Sequence, residues 1–321
     1  MSIFVQIPSY RDRFLVGTIE ELIVNAQKPQ DLTIAICNQY HEDDDFGNLD
    51  AYRGDNRFHI IDVPCSESGG IGPAMYSIQQ TYGGEDYSFR IDSHSLLAKH
   101  WDTKFVKMIK KLQAMGYPKP VLTAYAPDFD PTSSNPKSDK HPGYCSFQRF
   151  DPSSTVITQN SCLAEVMDYA TDPVKIRFTS GHLIFSLGSF VEEVAYHPDI
   201  YFYGEELSLA LRAFTCGYDL FAPNEVYLWH KYRADDPDAP RPWRDDEETY
   251  SLREFQSKTY LYSLLGLRGK KYRGKYGLGK ARTLADYERY VGLDFKKQMA
   301  SQHCLDNRPP PDPWNCWSEL T

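Results

Sequence analysis

The sequence has no run of about eighteen consecutive apolar residues, so no segment is long enough to cross a membrane as a helix. The opening stretch from Met1 to Phe14 lacks a basic region followed by a long apolar one, so a secretory leader is not expected there. No CxxC spacing occurs among Cys37, Cys65, Cys145, Cys162, Cys216, Cys304 and Cys316, and their number is odd. Reduced thiols and a cytoplasmic location are therefore expected, and a disulfide framework is not. Positive charge is scarce: 35 Lys and Arg face 44 Asp and Glu, a formal net charge of −9. That balance argues against general electrostatic binding to nucleic acid, whose phosphates are bound through Lys and Arg. No internal repeat is present.

What is there is an ordinary folding composition, 41% hydrophobic over 321 residues, enough for one large α/β domain. The first half alternates between two periodicities. Ile3–Ile7, Leu32–Cys37, His59–Val63, Tyr87–Ile91 and Val121–Ala124 read as buried strands. Thr18–Gln27 has helical spacing through Ile19, Leu22, Ile23 and Ala26, and Gly72–Tyr82 reads as a second helix. Asp102 or Thr103 is expected to cap a third, whose apolar face is Phe105, Met108, Ile109 and Leu112. This order predicts a mostly parallel, Rossmann-like sheet covered on both faces, with ligands beyond the carboxyl ends of its strands. Residues 128–143 read as a long surface loop. Leu183–Phe185 reads as a strand, Glu205–Cys216 as a helix stopped by Gly217, and Glu225–His230 as a strand. Residues 233–248, crowded with Asp, Pro and Arg, read as a mobile loop.

The sharpest local signal is Arg90-Ile91-Asp92-Ser93-His94 at the end of an apolar strand. In extended chain, residues i and i+2 point the same way, so Asp92 and His94 can reach one cation. A carboxylate with an imidazole suits Mn²⁺ or a similar first-row ion better than an all-oxygen site. The plain structural alternative makes Asp92 a turn cap and His94 a surface histidine. His230, at the end of a strand in which Val226 and Leu228 share its face, is a third candidate ligand. Glu205 and Glu206 open an amphipathic helix. They either complement the positive helix terminus or meet the hydroxyls of a sugar.

Taken in order, these motifs resemble the hydroxyproline-directed polypeptide N-acetylglucosaminyltransferase family over nearly the whole chain. The carrying residues are Ile3-Phe4-Val5 with Ser9-Tyr10-Arg11-Asp12, then Ser66-Glu67-Ser68 with Gly70. Gln79-Gln80, Tyr82 and Gly84-Glu85-Asp86-Tyr87 run into Ile91-Asp92-Ser93-His94 and Trp101-Asp102. Later come Tyr196, Pro198, Tyr201-Phe202, Gly204-Glu205-Glu206, Gly217-Tyr218-Asp219-Leu220-Phe221 and Pro223. Tyr276-Gly277-Leu278-Gly279 and Arg282-Thr283-Leu284 close the match. More distantly the chain is similar to mucin-type polypeptide N-acetylgalactosaminyltransferases.

The resemblance implies a GT-A fold, a UDP-sugar donor (UDP-GlcNAc first), Mn²⁺ dependence and retention of anomeric configuration. It implies that Asp92, His94 and His230 hold the metal, and that Pro8, Ser9, Tyr10, Arg11 and Asp12, with Arg90 and Ser93, lie against the donor. Glu205 and Glu206 are the candidate catalytic carboxylates, and the acceptor is a hydroxyl on a protein or a glycan. One departure is Ala74-Met75, where the resemblance implies Ala-Arg, a basic residue that would help hold the donor. Two other readings stand beside this one: a metal-dependent hydrolase using the same ligands, and a donor-binding module without turnover. The expected organisation is a GT-A catalytic domain over 1–250, a helical, basic extension over 251–304 and a Pro-rich tail over 305–321. In the extension, the cations of 268–282 read as a solvated loop before a helix capped at Thr283, or as a clamp over the donor diphosphate. The tail is expected to be disordered, or docked by Trp314 and Trp317.

Overall fold

Ile3, Phe4, Val5 and Ile7 are each wholly buried, which requires the first apolar run to lie inside a sheet with both faces covered. The structure is a computed structural model, and it describes residues 1–151, 155–163, 170–233, 236 and 239–311. The first half runs β1 (Ile3–Tyr10), α1 (Leu15–Asn25), β2 (Leu32–Tyr40), β3 (Phe58–Pro64), α2 (Ile71–Gln79), β4 (Tyr87–Ile91), β5 (Ser95–Leu97), α3 (Trp101–Ala114) and β6 (Pro120–Thr123). The second runs β7 (Gly143–Asp151), β8 (Thr155–Cys162), β9 (Val174–Lys175), β10 (Leu183–Leu187), α4 (Phe190–Glu193), α5 (Glu205–Thr215), β11 (Asp219–Ala222), β12 (Leu228–His230), α6 (Pro242–Asp245), α7 (Glu247–Leu265) and α8 (Leu284–Val291).

The main sheet has the order β3-β2-β1-β4-β10-β6-β11-β9. Strands β3, β2, β1 and β4 are parallel, whereas β10 is antiparallel to both β4 and β6. Strand alternation sends Ile3, Val5 and Ile7 into one apolar cluster with Phe89, Trp101 and Phe105 of β4 and α3. Phe4 goes to the other, with Ala74 and Met75 of α2 and the buried face of α5. This is the mixed α/β sheet, helices on both faces, that the sequence predicts. Among the described residues no helix is long and apolar enough to cross a membrane.

Several boundaries differ from expectation for identifiable reasons. Asp102 does not cap α3. Helix α3 begins at Trp101 after His100 in a left-handed conformation, and the wholly buried Asp102 carboxylate accepts the amides of Gln27 and Lys28, both at 2.9 Å. The β7–β8 hairpin was not anticipated, because its residues carry no clean apolar alternation. The strand expected over Glu225–His230 is only Leu228–His230, and Val226 is half-buried instead of in the core. The segment expected to be a loop over 233–248 contains α6 and the start of α7. Thr283 does cap α8, in a capping box with Asp286. Cys37, Cys65, Cys145, Cys162, Cys216 and Cys304 are free thiols. The carbonyls of Val291 and Arg308 are tied down by the buried Arg177 guanidinium at 2.8 and 2.6 Å. Trp314 and Trp317 lie outside the described residues.

Candidate active site

Because β1 and β4 run parallel, the chain leaves both at the same pole of the sheet, and Tyr10–Asp12 and Asp92–His94 emerge side by side. His230 reaches them by another route than the main sheet. Strand β12 pairs antiparallel with β5, placing His230 opposite Ser95. Its backbone is fixed on both sides, His230 N–H donating to Pro127 O and Lys231 N–H to His94 O, each at 2.9 Å.

The three side chains converge. His230 Nε2 lies 3.0 Å from Asp92 Oδ2 and 3.0 Å from His94 Nε2. One ligand atom from each residue falls within 4.8 Å of the others. Two imidazole nitrogens and a carboxylate oxygen pointing at one space form a donor set that fits a first-row divalent cation. The far side of His94 fits as well. Asp12 Oδ2 holds His94 Nδ1 at 2.5 Å, which leaves Nε2 to face the cluster. Asp12 in turn accepts from Ser93 Oγ at 2.7 Å and from the Phe14 amide at 2.9 Å. Burial works to raise the Asp12 pKa, but the His94 bond and charge, the Phe14 amide and Arg233 outweigh it and bring it down to about 2.

Arg90, almost fully buried, bridges the cluster to the helix α5 carboxylates. Its guanidinium is 3.2 Å from Asp92 Oδ1 and 3.3 Å from Glu205 Oε1. A side chain at Gly181 would not fit beside it, since a Cβ there would come within 2.6 Å of Arg90 Nη1. Glu205 Oε1 also accepts from Tyr196 Oη at 2.9 Å, and Glu206 Oε1 from the Gly181 amide at 2.7 Å. Gly204 precedes them at φ +85°, a conformation that glycine adopts without strain. Burial, followed by the neighbouring Glu205 charge, pushes the Glu206 carboxyl up to about 7, against the Gly181 amide that favours its ionised form.

These groups line one cavity of about 600 Å³ with Pro8, Tyr10, His182, Tyr232, Phe202 and Trp243. The family of glycosyltransferases described as Glycosyltransferase (GlcNAc) matches residues 2–57 and 50–297, nearly the whole chain. The chain belongs to this GlcNAc glycosyltransferase family.

The fold agrees with that membership. A crystal structure of GalNAc-T7 with UDP, GalNAc and Mn²⁺ superposes with a TM-score of 0.53 at 13% identity, covering 89% of this chain and 54% of that one. A structure of S. aureus TarS 1–349 in complex with UDP-GlcNAc gives a TM-score of 0.46 at 12% identity, over 80% of this chain and 66% of that one. The chain thus spans about half the length of the GalNAc-T7 chain, 54%. No curated protein matches the sequence significantly.

Within this family frame, not every candidate faces the cavity. Ser9 is buried beneath it with its Oγ unpartnered. Arg11, at φ +45°, turns away: Nε and Nη2 grip Asp44 at 2.9 Å each, and Nη1 donates to Asp245 of α6 at 2.9 Å. Tyr10 Oη donates to the same Asp245 oxygen at 2.7 Å. Met75, in the place of the implied basic residue, is wholly buried in the core beside Ala74 and does not line the cavity. None of the cations of 268–282 lines the cavity. Gly279, Ala281 and Arg282 hydrogen-bond around Thr215, at the far end of α5 from Glu205, about 16 Å away along an eleven-residue helix. Two roles carry no sequence signal of their own: Asp12 as the support of His94, and Asp245 on α6; His182 before β10 was also missed. His182 was findable as one more histidine at the mouth of an apolar strand.

Proposed function

We propose that the chain is a divalent-metal-dependent transferase moving a sugar, GlcNAc first among candidates, from a UDP-sugar to an acceptor hydroxyl with retention of configuration. The observation that carries this reading is the convergence of Asp92, His94 and His230 in a cavity that Glu205 and Glu206 also line. The UDP, GalNAc and Mn²⁺ of the GalNAc-T7 structure support it by likeness of fold. Asp92, His94 and His230 would hold the ion, Mn²⁺ being the natural choice for this donor set. When bound, it supplies Lewis-acid neutralisation of the charge that builds on the departing diphosphate.

The remaining work falls to the chain's own side chains. Asp12 fixes the His94 ring, and Arg90 compensates the buried charges of Asp92 and Glu205. Glu205, pinned by Arg90 and Tyr196, is suited to orient sugar hydroxyls and not to travel as a nucleophile. Front-face attack follows as the preferred course. The acceptor oxygen bonds to C1 as the C1–O bond to UDP breaks, and the acceptor proton passes to the leaving β-phosphate oxygen. Residues 239–246, latched to Tyr10 and Arg11 through Asp245, line the cavity with Ala239 to Trp243 and would help to exclude water from it. The acceptor is a hydroxyl on a protein or on a glycan.

The test is UDP release from UDP-GlcNAc with Mn²⁺, with and without chelator, beside UDP-GalNAc and UDP-glucose. Release that requires Mn²⁺ and one preferred sugar is the expected result. Full activity in excess chelator, or no response to any UDP-sugar, contradicts the proposal.

A further inference from the structure

The ring of His182 occupies a place on the cavity wall that neither the metal cluster nor the two carboxylates account for. It stacks on His230 with centroids 3.9 Å apart and planes 26° apart. It meets Tyr125 and Tyr232 edge-on at 4.7 and 5.2 Å, so aromatic contacts hold it on several sides. Its Nδ1 lies 3.3 Å from Tyr232 Oη. A tyrosine hydroxyl has one proton, and Tyr232 gives it to the Ala126 carbonyl at 2.6 Å. Nδ1 of His182 must therefore carry the proton of that contact and donate it to Oη. A neutral ring protonated at Nδ1 keeps its lone pair on Nε2. Among the described residues Nε2 has no hydrogen-bond partner.

That lone pair does not belong to the metal. Asp92, His94 and His230 would hold an ion, and His182 packs on the face of the His230 ring with its plane 26° from that ring's. The converging ligand atoms among the described residues are those of Asp92, His94 and His230.

What surrounds Nε2 identifies the occupant by chemistry. Gly181, the residue before His182, donates its amide to Glu206, so the imidazole and this carboxylate flank the same space. With Glu205 they offer hydrogen-bond acceptors beside the Arg90 guanidinium, a lining that suits a ligand carrying several hydroxyl donors. A sugar has that character. It is also joined directly to the β-phosphate that the cluster beside His182 would anchor, so it must lie next to the metal ligands.

We propose that His182 Nε2 accepts a hydrogen bond from a hydroxyl of the donor sugar, which makes His182 a determinant of sugar specificity. This rests on the UDP-sugar reading above.

The experiment is calorimetric titration of the whole chain, with Mn²⁺ present, by UDP, by UDP-GlcNAc and by UDP-GlcNAc analogues each lacking one ring hydroxyl. Wild type is compared with His182→Phe, which keeps a ring stacked on His230 without the acceptor, and His182→Gln, which supplies another acceptor. UDP should bind all three within about twofold, while UDP-GlcNAc binds His182→Phe about 3- to 15-fold more weakly, the scale of one hydrogen bond. One deoxy donor should bind wild type weakly by the same factor and lose nothing more in His182→Phe, the signature of a coupled pair. His182→Gln should recover part of the loss. Equal losses for UDP and UDP-GlcNAc would overturn the proposal, since they mean that His182 only supports His230. So would unchanged donor binding with a raised acceptor KM, which assigns the hydroxyl to the acceptor. Wild type that binds neither UDP nor UDP-GlcNAc overturns the underlying reading. Wild type that binds UDP-GlcNAc but distinguishes no deoxy analogue overturns the role of His182 alone.

Discussion

His94 and His230, 136 positions apart in sequence, bring their Nε2 atoms to 3.0 Å from each other, with Asp92 Oδ2 at 3.0 Å from the second. Two imidazole lone pairs have no reason to face each other this closely unless a proton or a cation lies between them. Asp12 decides which nitrogen His94 presents, through the 2.5 Å contact at Nδ1. Asp12→Asn should therefore lower Mn²⁺ affinity by about 10- to 100-fold, the usual effect of losing the carboxylate behind a ligating histidine. Titration calorimetry with Mn²⁺ measures it. Unchanged affinity would show that Asp12 does not orient the ligand.

The Arg11–Asp245 pair gives a second prediction. Arg11 spends its guanidinium on Asp44 and Asp245, and Tyr10 shares Asp245, so removing either side loosens the segment over the cavity. Arg11→Ala and Asp245→Ala should each raise the donor KM by about 2- to 5-fold, in line with partly exposed ion pairs. The double variant should be no worse than the weaker single one. Additive effects would mean that Arg11 touches the nucleotide itself.

A stability prediction concerns Asp102, whose buried carboxylate accepts the amides of Gln27 and Lys28. Asp102→Ala removes the acceptor of both amides, at a cost of about 1–3 kcal/mol. The urea midpoint should fall with an unchanged slope. A shift of only a few tenths of a kcal/mol would rule out this role.

Glu206 gives a pH prediction. Its folded-state pKa is raised to about 7 from its ordinary value of 4.5, so folding favours its protonated form. No penalty exists below about pH 4.5, where the carboxyl is protonated in both states. The penalty grows as pH rises and is complete above about 7, on the order of 1–3 kcal/mol for a side chain that faces a cavity. Glu206→Gln should thus stabilise the metal-free protein at pH 8 and leave it unchanged near pH 4. Equal thermal midpoints at pH 8 would contradict this.

Much of this was legible in the sequence because the signals were local. The buried run Ile3–Ile7, the alternation of strand and helix, and Asp92 with His94 two residues apart all follow from short-range periodicity. His230 was harder. The alternation expected over Glu225–His230 does not exist, since Tyr227, Leu228, Trp229 and His230 are all buried. The residue arrives because β12 pairs with β5, a contact between distant segments that no local pattern encodes. The same applies to Arg11, whose partners Asp44 and Asp245 lie 33 and 234 positions away. Asp102 was misread as a helix cap because its acceptor chemistry suits a helix start as well as it suits the two amides it serves.

The central claim is that Asp92, His94 and His230 share one metal ion in the donor complex. Anomalous diffraction from crystals grown with Mn²⁺ and UDP measures this directly. The account predicts one manganese peak with His94 and His230 nitrogens and an Asp92 oxygen each at about 2.0–2.4 Å. A peak elsewhere, or His230 more than about 6 Å from a metal bound by Asp92 and His94, would contradict it, being far beyond any His–metal bond.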